Sequence, residues 1–185
     1  MYIYKCTYIN AYLLAKSLCF CYNKYTMMKK EGKSIVTFFG HSRFEETEEI
    51  RERLALLLRD YDNSPVDFYL GGYGRFDYFA LQQCKAYQKK NPQVRLIYIT
   101  PYLGRTLDNR RAYLEKNYDE ILYPPIERAL PKFAISKRNE WMVEQADVVI
   151  AYVDCHFGGA YKALLHAKRK GVAYTNLYSR NYTLY

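Results

Sequence analysis

The chain lacks most of the marks by which a small protein declares its chemistry. Its 185 residues hold three histidines, five cysteines and one tryptophan. Three of those cysteines, Cys6, Cys19 and Cys21, crowd the first 21 residues, and none stands in a paired chelating spacing, so neither a disulfide framework nor a zinc site is predicted. Cys155 and His156 are adjacent, too close in sequence for ordinary chelation of one metal, and no metal or cofactor is expected. No apolar run reaches the roughly 20 residues of a membrane span. The nearest, residues 11–22, is short and broken by Lys16, and with Lys5 alone before it and no clean cleavage site after it, it makes a poor signal peptide. No Gly-Lys-Ser/Thr closes a Walker loop, and the Gly72-x-Gly74 turn has Asp77 where a dinucleotide fingerprint needs its third glycine. P-loop NTPases and nicotinamide dehydrogenases are thereby excluded, and a cytosolic location is expected.

Acidic residues are also scarce, 19 against 28 lysines and arginines, for a formal charge of +9. The surplus is uneven. Residues 1–33 carry six lysines against Glu31, a surplus of five, which leaves +4 on the remainder. A charge concentrated in a tail reads as a solvated extension rather than a nucleic-acid face, so duplex DNA is not indicated and nucleic acid is not the favoured partner. The folded domain is expected over 34–185, with 1–33 a basic extension and Met27 or Met28 a candidate start.

What is abundant is apolar and aromatic: half the residues, among them 22 tyrosines. From Ser34 onward short apolar runs alternate with segments of helical spacing. Strands are predicted at 34–39, 66–70, 94–100, 120–123, 147–153 and 172–177, and helices at 44–60, 76–90, 108–117 and 138–146, with a last one leading out of the glycine turn at 154–160 and running through Lys170. Such alternation predicts an α/β, Rossmann-like doubly wound, mainly parallel sheet with helices on both faces, binding its ligand at the carboxyl ends of the strands.

Three segments should meet there. They are Gly40-His41-Ser42-Arg43, the turn Gly71-Gly72-Tyr73-Gly74 with Asp77, and the turn Asp154 to Gly158-Gly159. Glycine lets backbone N–H groups approach an anion, and a helix N-terminus adds partial positive charge. Arg138 and Asn139, expected at a helix start, join them as donors to a phosphate or a ribose hydroxyl, the alternatives being a surface arginine and an N-cap. Tyr73, Tyr78, Tyr102 and Tyr161 lie near enough to stack on a base. None of the histidines, His41, His156 or His166, stands with a Ser or Cys in a recognised nucleophilic motif.

In this order, Gly-His-Ser-Arg at 40–43, Gly-Gly-x-Gly-x-x-Asp at 71–77, Arg-Asn-x-x-Met-Val-x-x-Ala-Asp at 138–147 and Gly-Gly-Ala at 158–160 followed by Ala167-Lys168-x-x-Gly171, the chain resembles the SLOG superfamily over about 34–177. That grouping includes the LONELY GUY-type phosphoribohydrolases, the DNA-processing protein A family and small bacterial and phage Rossmann-like proteins. The resemblance implies a nucleotide or nucleotide-derived phosphorylated ligand. It does not carry over the hydrolase chemistry: against Pro-Gly-Gly-x-Gly-Thr-x-x-Glu, the glutamate position falls on Leu165 or Ala163. Three functions stay open: a ligand-binding sensor or effector module; an N-glycosidic hydrolase or transferase using Asp77, Glu140 or Asp154 as replacement carboxylates; and single-stranded nucleic-acid binding. A homo-oligomer is compatible with all three.

Overall fold

The computed structural model describes residues 32–178. The expectations for the basic extension and its alternative start lie outside the described residues, apart from Gly32 and Lys33. Six strands, β1 (Ser34–Gly40), β2 (Val66–Leu70), β3 (Val94–Ile99), β4 (Glu120–Leu122), β5 (Val148–Tyr152) and β6 (Ala173–Asn176), form one sheet in the order β4-β3-β2-β1-β5-β6. Every pairing is parallel. This is the Rossmann-like architecture the alternation predicts.

Side chains alternate across the strands and divide the core in two. Val36, Phe38, Phe68 and Leu96 pack under α1 (Glu48–Leu58) and α2 (Arg75–Gln88), with Leu54, Leu58, Phe79 and Ala80 filling the layer. Phe39, Tyr69, Ile97 and Val149 face the other way, onto Met142 and Val143 of one helix and Ala160, Ala163 and Ala167 of another. Three alanines on one stripe let the latter helix lie close to the sheet. The region between β3 and that face holds two short helices, α3 (Arg105–Asp108) and α4 (Arg111–Asn117). It is followed by a 3-10 turn at Pro131–Phe133 and α5 (Ala134–Gln145), and α6 (Gly158–Lys170) follows β5. No helix among the described residues is long and apolar enough to cross a membrane.

The single helix expected over 108–117 is two, α3 and α4, and two helix starts differ most from the sequence reading. The first helix does not begin at Phe44. Thr47 caps it, its hydroxyl accepting the Ile50 N–H at 3.3 Å, with Glu48 and Glu49 in the first turn. Phe44 is instead a core residue, its ring 4.9 Å from those of Phe79 and Tyr152. The fifth helix begins at Ala134, not Arg138, because the turn at Pro131 starts it one helical turn early.

The strand order turns back on itself between β1 and β5, the switch point at which open sheets of this kind leave a crevice outside their carboxyl ends. The loops after β1 and β5 lie side by side there, because Gly40 pairs with Tyr152.

Candidate ligand site at the carboxyl edge

The first glycine turn joins β2 to α2. Gly72 has φ +67°, and Gly74 occupies the N-cap position of α2 with no side chain to cap it. The donors of this turn are already committed. Asp77, in the first turn of the helix, reaches back so that its Oδ2 accepts the Tyr73 N–H at 3.3 Å, and the amides of Gly71 and Gly72 also favour its charge. Burial nevertheless raises its pKa above the ordinary carboxylate value, outweighing Arg138 and the three amides.

Arg138 lies beneath this turn, only 3% exposed. Its Nη1 donates to the Ile99 carbonyl at 3.0 Å and its guanidinium lies 5.3 Å from the centre of the Tyr73 ring. Its Nε is buried with no hydrogen-bond partner among the described residues. Burial lowers its pKa, and Asp77 is the main charge opposing that shift. Gly71 is glycine for its sake: a Cβ there would stand 2.5 Å from Nη1. Arg138 is therefore neither at a helix start nor on the surface, and Asn139 is not an N-cap; both sit in the second turn of α5. Arg110 completes the enclosure, donating to the Tyr98 hydroxyl at 3.0 Å and the Gly72 carbonyl at 3.2 Å.

The second glycine turn joins β5 to α6 and is built differently. Phe157 holds the N-cap position without a side-chain hydrogen bond, and no acidic residue stands in the first turn. Polar side chains flank the start of this helix. The His41 Nδ1 lies 3.7 Å from where a Cβ of Gly158 would be, and the Asn139 Nδ2 lies 3.8 Å from that of Gly159. Gly158 has φ +89°, a conformation that side chains rarely adopt.

His41 also meets Asp154 and Cys155. Its Nε2 is 3.3 Å from Asp154 Oδ1 and 3.3 Å from Cys155 Sγ. The sequence reading gives His41 no cysteine partner; the pairing of β1 with β5 supplies one 114 residues away. Burial pushes the Cys155 thiol above its ordinary pKa and Asp154 adds to the rise.

The remaining expected residues serve in other ways. Gly40 makes room for a ring, since a Cβ there would fall 2.1 Å from Phe76 Cγ. Arg43 is exposed in the loop after β1. Glu140 is bound by Lys137 Nζ at 2.7 Å on α5. His166 is buried and meets Glu144 at 3.1 Å on the far side of α6. An open groove of 410 Å³ runs outside the first turn, lined by Phe44, Glu46, Gly74, Arg75, Tyr78 and Phe79; none of His41, Asp154 or Gly158 reaches it. Arg110, Cys155 and Phe157 are residues of this edge that the sequence reading did not select, and the contacts of the first two come from long-range packing that no local pattern announces.

No family model matches the chain. No curated protein sequence matches it. Among solved structures, it is similar to DNA processing protein A from Helicobacter pylori, a structure described for its single-stranded DNA binding mode. There the TM-score is 0.53 and the identity 19%, over 76% of this chain and 63% of that one. It is likewise similar to DNA processing protein A from Streptococcus pneumoniae, with TM-score 0.53 and 15% identity over 76% of this chain and 49% of that one. The chain thus spans less than two thirds of the length of either. At such identities the likeness is one of fold, a Rossmann-like parallel sheet resembling that of DNA processing protein A.

Proposed function

We propose that this protein binds a nucleotide or nucleotide-derived phosphorylated ligand at the carboxyl edge of its sheet and acts as a sensor or effector module. The observation that carries this reading is the start of α6: two glycines, no capping side chain, no acidic residue in the first turn, and His41 and Asn139 on either side. Leading amides that have no intrahelical partner, the helix dipole and the flanking Asn139 amide together suit a phosphate. Buried Arg138 adds positive potential to the same edge. Phe157, 73% exposed at the turn itself, offers a face to a base.

Hydrolysis is not part of the reading. Of the replacement carboxylates, Asp77 is held inside the first turn, Glu140 is tied to Lys137 and Asp154 faces His41. None occupies the position of the phosphoribohydrolase glutamate, where the chain has Leu165 or Ala163.

The test is a panel of nucleoside monophosphates titrated into the full chain with a chelator present, read by calorimetry, by thermal shift and by free base released. One or more should bind, and at 100 times its dissociation constant should stabilise the fold by about 2.7 kcal/mol. Base release at about 1 per second or faster would establish the hydrolase instead. A second reading, single-stranded nucleic-acid binding, is favoured by the exposed rings of Phe157 and Tyr78 and by the fold shared with DNA processing protein A. An oligothymidylate in the same panel separates the two, because a strand-binding groove takes the oligomer far more tightly than the monomer.

A further inference from the structure

We infer that His41, Asp154 and Cys155 form a divalent metal site of zinc type at the switch point of the sheet. Their donor atoms lie within 4.8 Å of one another, and they come from the two loops that the β1–β5 pairing brings together. Around a tetrahedral zinc ion, ordinary metal–ligand lengths place a nitrogen and an oxygen donor about 3.3 Å apart and a nitrogen and a sulfur about 3.6 Å apart. The observed separations are 3.3 Å for His41 Nε2 to Asp154 Oδ1 and 3.3 Å for His41 Nε2 to Cys155 Sγ. The imidazole nitrogen thus faces a carboxylate and a thiol at once, and an ion placed among the three would take one donor atom from each. The mixed nitrogen, oxygen and sulfur set suits zinc or cobalt over magnesium or calcium, which prefer oxygen alone.

The site is open on one side. The His41 side chain is 14% exposed and that of Asp154 39%, so three protein ligands leave a fourth position to water or to an anion. Gly158, at the start of α6, adjoins the His41 ring, so an ion held there would add its charge to the edge assigned to the phosphate. The inference itself stands on the three side chains and needs no nucleotide.

Cobalt(II) is the probe, because a thiolate ligand gives it an intense near-ultraviolet charge-transfer band and tetrahedral coordination gives strong visible bands. Full-length protein with Cys6, Cys19 and Cys21 changed to serine removes the competing thiols outside the described residues. This protein should bind one cobalt ion with both signatures, and zinc should displace it. Adding Cys155→Ser should abolish the charge-transfer band, and His41→Ala should weaken binding at least tenfold, with circular dichroism confirming that each variant is folded. Failure of the triple-serine protein to bind cobalt, or a bound-cobalt spectrum that Cys155→Ser leaves unchanged, overturns the inference. The phosphate reading is measured in chelator, so either result leaves it to its own test.

Discussion

The two glycine turns stand at the same edge of the same sheet, follow buried strands and open helices, yet one is closed and the other open. In the first, Asp77 bends back onto the amides and Arg138 lies below, so the turn contains its own anion and its own cation. In the second, the amides at the start of α6 meet no carboxylate in their first turn and are flanked by His41 and Asn139. Similar backbone patterns therefore differ in how they are filled: the first turn holds its own carboxylate, and the second has none in the first turn of its helix. A single acidic residue three positions into the helix separates them.

The largest effect that would sharpen this contrast comes from Gly72→Val. Its positive φ and the Tyr98 ring, whose Cε2 would stand 2.7 Å from a new Cβ, make the substitution a change to the fold before it is a change to any site. A loss of about 3 kcal/mol is expected in denaturant unfolding. Equal stability with lost ligand binding would assign the first turn a direct role. Asp77→Ala should cost less, about 1–3 kcal/mol, by leaving the turn amides unsatisfied. It should also let inorganic phosphate, seen by phosphorus NMR, occupy a turn that is closed in the wild type.

The pH dependence has a sign in each place. Asp77 has a raised native pKa, so its protonated form is favoured by folding. Wild-type stability should gain on Asp77→Asn as pH falls through that raised value, the gain being complete below the unfolded value of about 4. Asp67 behaves oppositely: burial would raise its pKa, but hydrogen bonds and charge from Arg95 and Lys33 hold it below the ordinary value. Its contribution is fully present above about pH 4 and is lost as pH falls through the lowered native value. Unfolding curves of Asp77→Asn and Asp67→Asn from pH 8 to pH 2.5 check both signs. The smallest effect is that of Arg43→Ala. This exposed residue should leave the melting temperature nearly unchanged and weaken ligand binding by about tenfold or less, as fits one screened charge.

Much of the fold was legible because it rests on local periodicity. Val66–Leu70 reads as a strand from its apolar run and turn-forming flanks, and α6 as a helix from the glycine turn that leads into it. Boundaries failed where a cap or an aromatic anchor overrode periodicity, as at Thr47 and Phe44. The site was legible as a set of loops but not as a set of contacts. Nothing near Arg138 signals that it is buried under Gly71; that depends on where β3 and α5 lie. The meeting of His41 with Cys155 likewise exists only once β1 and β5 are paired.

The most direct test of the account is to make the second turn resemble the first. Gly159→Asp places a carboxylate in the first turn of α6, at a position where a Cβ meets nothing nearer than the Asn139 amide at 3.8 Å. By helix dipole and propensity it should stabilise the unliganded protein by about 0.5–1.5 kcal/mol. The measurement is calorimetric titration of wild type and Gly159→Asp with the nucleoside monophosphate that binds best, in chelator. The account predicts a folded, equally or more stable variant that has lost the ligand. Wild-type affinity in that folded variant would contradict it, because the phosphate would then not lie at the start of α6.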